Sequence, residues 1–559
     1  MFHSIKKLRV IVFLLLIVGC TNKSDTLFTQ LSSDETGINF KNTLFESNNL
    51  NILNYSYFYN GGGVAIGDIN NDGLQDILFT GNMVKNRLYL NKGNFKFENI
   101  TDKAGIAEKQ GWCTGATMVD INGDGKLDIY ICRSADGVAS RRENLLFINN
   151  GDLTFTEKAK EYGLANEGFS TQAAFFDYDK DGDLDMFLIN HSLQQYTTGA
   201  VENPGWRKER KPAFECKLYR NDWSDSLKHP FYTDVSDQAG ITSNVLTFGL
   251  GLAVSDINND GWPDVYVSND FNEADYLFIN NGNGTFTERV KDCMDQVSLF
   301  SMGSDAADFN NDGLVDLATM DMLPEDNKTQ KMHSGAENFN KFQMLFRQGF
   351  YYQYSRNMLQ KNNGDGTFSE IGQLAGISNT DWSWSPLFSD FDNDGNKDLL
   401  VTTGYVKDYT DMDFVKYSVD LAVKQRGGEK VDAVNDYIAK MPDNHLPSTI
   451  FRNEGNDKFV KNNLAWGINQ STVSAGAAYA DLDNDGKMDL VINNSNDFAA
   501  IYKNTGGNSA NNNFLKIKLK GTEKNSAGFG AKLKLFCNDT IYYQEQMPVR
   551  GYQSSVTRY

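Results

Sequence analysis

The stretch DINNDGLQDILFTGN, residues 68–82, places three carboxylates, Asp68, Asp72 and Asp76, and the amide of Asn70 within nine residues around Gly73. An apolar run follows at once. Carboxylates crowded this closely repel one another unless an opposite charge holds them. The phrase returns as DINGDGKLD from Asp120, DYDKDGDLD from Asp177, DINNDGWPD from Asp256, DFNNDGLVD from Asp308, DFDNDGNKD from Asp390 and DLDNDGKMD from Asp481. Chance would supply roughly 0.01 copies in a chain of this length at ordinary residue usage. Seven copies make it a repeat.

Each copy is followed by three or four mostly apolar residues. A second phrase is interleaved with it: NRLYLNKGNFKFENITDKAGI, NLLFINNGDLTFTEKAKEYGL, DYLFINNGNGTFTERV and NMLQKNNGDGTFSEIGQLAGI. Here a β-type run meets a Gly-containing turn and a second β-type run, which is the pattern of a hairpin. KLYRNDWSDSLKHPFYTDVSDQAGI and TIFRNEGNDKFVKNNLAWGI are looser copies. A unit therefore holds a strand, the acidic loop, a second strand and a hairpin. Loops starting 52 to 91 residues apart with four strands per unit predict an all-β, seven-bladed β-propeller over residues 37–505. Closing the ring removes the exposed edges of an open stack. A parallel β-helix is the alternative, but its repeats are shorter.

The loop chemistry points to calcium, which takes six to eight hard oxygen ligands at roughly 2.3–2.6 Å in irregular geometry. Positions 1, 3, 5 and 9 supply the candidate ligands: Asp68, Asn70, Asp72 and Asp76; Asp120, Asn122, Asp124 and Asp128; Asp177, Asp179, Asp181 and Asp185; Asp256, Asn258, Asp260 and Asp264; Asp308, Asn310, Asp312 and Asp316; Asp390, Asp392, Asp394 and Asp398; Asp481, Asp483, Asp485 and Asp489. Position 6 is always glycine, as a sharp turn requires, and position 7 varies freely, as a backbone-only ligand would. The loops hold no His or Cys, which disfavours transition metals. Magnesium would prefer fewer carboxylates and more water. Seven calcium ions would offset 14 of the 20 net negative charges. With a dissociation constant near 0.1 mM and about 1 mM calcium, each site adds about 1.4 kcal/mol. Up to seven structural ions would then contribute on the order of 10 kcal/mol.

The 559 residues carry 73 Asp plus Glu against 53 Lys plus Arg, a balance that excludes nucleic acid as partner. Residues 1–19, with Lys6, Lys7 and Arg9 before the apolar VIVFLLLIVG, read as an export signal, and the LIVGC ending resembles a lipobox, making Cys20 the lipidated residue. Residues 20–36 read as a polar tether. The protein is expected at the outer membrane or cell surface, held by lipid. The remaining cysteines are odd in number and lack CxxC spacing, so neither a disulfide scaffold nor a zinc site is expected; Cys113 and Cys132 are the pair that could meet across a hairpin.

The repeats resemble FG-GAP/VCBS repeats, as in the integrin alpha-chain propeller, where such loops hold calcium. GINF, YNGGGVAIGDINNDG, RLYLNKGNFKFENIT and AGI resemble bacterial relatives of the cartilage acidic protein family, which pair the propeller with an ASPIC/UnbV module. Residues 512–559 look like the start of that module, and the resemblance implies that its pattern continues past Tyr559, so the chain is expected to be truncated. It implies fold and calcium strongly, and activity weakly.

Insertions follow the third, fifth and sixth loops, at 191–216, 323–357 and 407–444. The last two are helix-like, with Phe414, Tyr417 and Leu421 on one face. Emerging after equivalent strands, all three should gather on one end of the ring. The aromatics Phe350, Tyr351, Tyr352 and Tyr354 either stack on sugar rings or pack the insertions down. His191 and His333 lie in or near insertions with no nucleophile motif beside them. The function expected is a binding or adhesion module for an extracellular glycan or protein. The alternatives are a polysaccharide lyase or hydrolase working on the inserted face, and an accessory role in outer-membrane nutrient uptake.

Overall fold

The computed structural model describes residues 26–107, 111–193, 204–334, 338–428, 434–507, 513–537 and 540–556. The expected export signal, Cys20 and residues 194–203 of the first insertion lie outside these. Among the described residues seven four-stranded antiparallel blades form a ring. Their inner strands are Val64–Gly67, Trp112–Val119, Ser170–Phe176, Gly249–Ser255, Ser304–Ala307, Ser383–Ser389 and Ser474–Ala480. Each acidic phrase joins an inner strand to a second strand that starts at its position-9 Asp. The apolar runs after the loops are these second strands, buried throughout because neighbouring blades cover both faces.

Segments near both ends of the described residues join the ring, and the first departs from the expected domain layout. Phe28–Leu31 is not tether but the outer strand of blade seven, paired antiparallel with Ile501–Asn504. Leu27 and Phe28 are buried against Leu490 and Tyr502. The physical reason is edge protection: without this strand Ala500–Asn504 would present an open row of backbone groups. Ser32 then caps a short helix, Ser33–Thr36, through a reciprocal bond with Glu35.

The C-terminal segment, expected as the start of an ASPIC/UnbV module over 512–559, also joins the ring. It crosses the loop-bearing end of the ring, forms the hairpin Lys532–Cys537 and Thr540–Glu545, and then enters the central channel. There Val549–Arg550 and Ser554–Ser555 pair, and Ser555 adds beside Ala65 of blade one. The sequence makes room for it. Five residues before each loop stand Gly63, Gly115, Gln172, Gly251, Gly303, Ser385 and Gly476. A Cβ on Gly63 would lie 1.8 Å from the Gln553 carbonyl oxygen, and one on Gly303 2.9 Å from the Tyr552 Cβ. Where a side chain replaces glycine, it binds the segment instead. Gln172 accepts from the Gln553 amide (3.2 Å) and donates to the Ser554 carbonyl (3.1 Å), and Ser385 Oγ accepts from the Tyr552 amide (3.1 Å). Arg550 is buried on Asp305 (3.0 Å) and the Ala306 carbonyl (2.6 Å).

The opposite end of the channel is filled by residues 51–60, whose Tyr55, Tyr57, Phe58 and Tyr59 are buried among Trp112, Phe248, Trp382, Trp384 and Tyr405. The insertions gather at this end, as equivalent strand positions require. The helices Asn327–Met332 and Asn338–Arg347 belong to blade five, and Met412–Arg426 and Val434–Ile438 to blade six. Cys113 and Cys132 form no disulfide. Cys113 faces Arg133 across the ladder, so Cys132, one residue away, points to the other face of the blade and into a different core cluster.

Candidate metal centres in the acidic loops

Each loop is held by its own Asx turns. In loop one, Asp68 Oδ1 accepts the Asp72 amide (3.0 Å), Asp68 Oδ2 the Gly73 amide (2.8 Å), Asn70 Oδ1 the Asp72 amide (3.1 Å) and Asp72 Oδ1 the Leu74 amide (2.9 Å). The same bonds recur around the ring, except that the position-5 amide bonds only Asp179 in loop three and only Asp481 in loop seven. Gly73 and its six equivalents have positive φ, so glycine is favoured at position 6 on conformational grounds. Burial grades along the loop: position 9 is 0–1 % exposed in all seven, while the position-5 carboxylates of loops one to five lie exposed at the tips.

Position 9 does something that spacing alone hid. Both of its oxygens accept backbone amides. Asp76 takes Ile69 (3.0 Å) and Asn91 (2.8 Å), and Asp264 takes Ile257 (3.0 Å) and Asn280 (2.7 Å). The pattern holds in the other five blades. The side chain thus ties the loop to the third strand. Burial pushes these carboxyls up, to about 7 in Asp76 and Asp264 and about 8 in Asp128, against the lowering effect of the amide bonds.

The partner residue is an asparagine ending the core of the third strand: Asn91, Asn149, Asn221, Asn280, Asn362, Asn453 and Asn504. Its amide donates to the position-8 carbonyl of its own blade and, in six blades, to the position-2 carbonyl of the preceding one. Asn453 reaches Lys397 (3.0 Å) and Phe309 (2.9 Å), and Asn91 closes the ring on Leu482 (2.9 Å). The exception is Asn221, whose amide meets Tyr232 Oη (3.3 Å) instead. This was missed from sequence, although an Asn in every copy of the hairpin phrase was the signal. Four position-4 asparagines add loop-to-loop bonds; Asn484 donates to the Gly73 carbonyl across the closure (3.1 Å).

Which predicted ligands come together differs by loop. Oxygens of Asp177, Asp179 and Asp185, of Asp390, Asp392 and Asp398, and of Asp481, Asp483 and Asp489 lie within 4.8 Å of one another. These are positions 1, 3 and 9 of loops three, six and seven. Loops one, two, four and five carry Asn at position 3, and in loops one, four and five its amide donates to the position-5 carboxylate. The position-5 carboxylates stay outside the three clusters, turned toward the position-7 amide and toward bases such as Arg452, Lys126 and Lys487.

The donor set fits a hard divalent cation. Asp177 Oδ1, at position 1 of loop three, and Asp483 Oδ1, at position 3 of loop seven, are buried atoms with no hydrogen-bond partner, although the other six position-1 aspartates accept an amide on each oxygen. Burial and the Asp181 charge raise Asp177 to about 6, and burial raises Asp390 to about 7. A cation would return these groups to their charged form.

A second polar cluster lies at the other end. Ser134 Oγ meets His191 Nε2 at 2.8 Å, His191 Nδ1 donates to the Ser192 carbonyl (2.9 Å), and Tyr55 Oη meets Ser134 Oγ (3.1 Å). Burial lowers His191 to about 4, so the ring is neutral. Ser134 and His191 are 0 and 2 % exposed, sealed beneath residues 51–60.

Residues 21–131, 137–188, 256–319 and 349–401, half of the chain, match the FG-GAP-like repeat, and 521–558 match ASPIC and UnbV. Cartilage acidic protein 1 of Xenopus tropicalis is 27% identical over 46% of this chain and 39% of its own length. The mouse (Mus musculus) protein is 25% identical over 55% and 45%, and the human (Homo sapiens) protein 23% over 61% and 56%. The chain thus spans about half the length of the curated relatives it matches. A solved structure of an Agrocybe aegerita lectin, described as specifically recognising non-reducing terminal N-acetylglucosamine, aligns over 72% of this chain and 79% of its own at 15% identity and a TM-score of 0.37. With its repeats, its loops and its C-terminal segment accounted for together, the chain belongs to the FG-GAP-like repeat family and carries an ASPIC and UnbV segment at 521–558.

Proposed function

We propose that this protein is a calcium-stapled propeller that works as a binding or adhesion module outside the cell, anchored through Cys20. The observation that carries the calcium reading is the pair of orphaned, buried carboxylate oxygens, Asp177 Oδ1 and Asp483 Oδ1, inside two of the three aspartate clusters. Calcium would be held by positions 1, 3 and 9 of the loops and would supply the charge that these carboxylates lack. Its role is to fix the turn between the first two strands of a blade.

The two ends of the ring support the choice of binding face. The loop-bearing end is covered by the chain's own C-terminal segment. The inserted end presents Phe339, Phe346, Tyr352 and Tyr354, exposed by 37–72 %. Phe342 stacks on Tyr354 (5.5 Å between centroids, 24°), and Phe346 meets Tyr352 at a tilt (4.7 Å, 31°). Phe350, by contrast, is buried against Val245, Leu246 and Leu345 and packs the insertion down. The anchor agrees with this polarity. Phe28 lies opposite Asn504, at the loop-bearing end. The few residues between Cys20 and Thr26 span at most about 20 Å, so the inserted end would face away from the membrane. Among the described residues no helix is long and apolar enough to cross a membrane.

The test is a panel of extracellular polysaccharides and matrix proteins presented to the intact protein with calcium. Saturable binding lost in a Tyr352→Ala/Phe346→Ala variant is expected. New reducing or unsaturated chain ends would overturn the binding-module reading in favour of an enzyme.

A further inference from the structure

The C-terminal segment carries lysines eight residues apart, Lys516, Lys524 and Lys532, and each lands on an acidic loop. Lys516 Nζ meets Asp481 Oδ2 (3.5 Å) and Asn484 Oδ1 (2.8 Å) of loop seven. Lys524 Nζ meets Asp183 Oδ2 (3.0 Å) of loop three, and Lys532 pairs with Asp256 of loop four. Between them Ser526 Oγ donates to Asp120 Oδ2 (2.6 Å) of loop two.

The contacts share a division of labour. In loops two, four and seven the segment takes Oδ2 of the position-1 aspartate, the oxygen that also accepts the position-6 amide. Oδ1 of the same carboxylate accepts the position-5 amide. A single carboxylate therefore gives one oxygen to the loop alone and shares the other between the loop and the segment. Asp68 of loop one makes the same two amide bonds, and among the described residues no basic side chain pairs with it.

We infer that Lys516 and Lys532 are built-in cations of loops seven and four, so that docking of the C-terminal segment and binding of a divalent ion at these loops are antagonistic. The inference rests on the calcium reading above. A lysine on the position-1 carboxylate neutralises part of the charge a divalent ion needs and repels the ion itself. By reciprocity, an ion that enters weakens the lysine's hold by the same factor. The acidic face thus stays closed on its own chain when calcium is scarce, and loosens its grip at loops four and seven when calcium is plentiful. Loop one, without a lysine, fills first.

Calorimetric titration of the full chain with calcium chloride tests this. In the wild type, loops four and seven should titrate more weakly than loop one. In Lys516→Gln/Lys532→Gln they should bind at least roughly five-fold more tightly, the low end for linked sites. Lys516→Arg/Lys532→Arg should behave as the wild type. Amide hydrogen exchange over 513–537 should quicken on adding calcium to the wild type and be indifferent to calcium in the Gln variant. Calcium uptake with the same affinities in wild type and Gln variant would overturn the linkage alone. No calcium uptake by either protein would remove the calcium reading and the linkage with it.

Discussion

The two ends of this ring were built by different rules. At the loop-bearing end one local solution is copied seven times, an Asx-turned loop with a position-9 aspartate gripping two amides, and in six of the seven blades an asparagine stitches the blade to the one before it. At the inserted end nothing repeats. Aromatic rings from residues 51–60 and the helices inserted in blade six fill the channel mouth, and single pairs join the two insertions, such as His333 Nε2 to Asp408 Oδ2 (2.9 Å). The comparison teaches that repetition is affordable where the ligand is a backbone amide or an ion, identical in every blade. On the proposed binding role, the recognising surface is the end where the symmetry is broken.

The largest expected effect separates the ends by metal. On the proposed reading, seven filled sites would together be worth on the order of 10 kcal/mol, and chelating calcium should lower the melting temperature by more than about 10 °C. Exchange protection should fall at the loops and persist at residues 51–60. Identical melting curves with and without chelator would remove calcium from the loop end.

Next comes the stitching. Asn453→Ala removes two bonds to buried carbonyls and one to the Gly455 amide, and should cost about 2–4 kcal/mol in denaturant unfolding. Asn221→Ala, in the one blade whose asparagine does not cross to its neighbour, should cost less. Equal losses would show that the cross-blade bond contributes little.

The channel is the third comparison. Gly63→Ala sets a Cβ against the Gln553 carbonyl and should cost about 1–3 kcal/mol, with faster proteolysis of the C-terminal segment. Gly137→Ala, which meets nothing within 4 Å, should change stability by under about 0.5 kcal/mol.

The last comparison lies at the inserted end and depends on pH. Burial raises Asp270 to about 8, with Asp321 adding to it, while the Phe271 amide and Tyr57 Oη oppose the shift. A carboxyl raised in the folded state binds more protons there than in the unfolded chain. Its contribution is therefore full below the unfolded value of 3.8 and is lost as pH rises through about 8. Asp270→Asn should flatten the decline in melting temperature between pH 5 and 8, leaving the variant more stable than the wild type at pH 8. Parallel profiles for the two proteins would show that Asp270 is charged throughout.

Much of the loop end was legible in the sequence because its information is local. Period, glycine at position 6 and Asp at position 9 all sit within nine residues, and the insertions were placed on one end by strand arithmetic. Position 9 was read only as a ligand, since its grip on an asparagine 15 to 55 residues away is invisible to spacing. The tether was misjudged at Phe28, whose need for a partner is set by an open edge formed by Ala500–Asn504.

By itself, then, the sequence determined the seven blades, the acidic turns and the side on which the insertions emerge, because short-range backbone geometry and hydrophobic alternation decide those. Only the tertiary structure decided how the ring closes, what fills its channel and which carboxylates face a lysine rather than solvent. These depend on groups hundreds of residues apart, such as Arg550 on Asp305 and Lys532 on Asp256, and burial gives such meetings their energy only once the ring has formed.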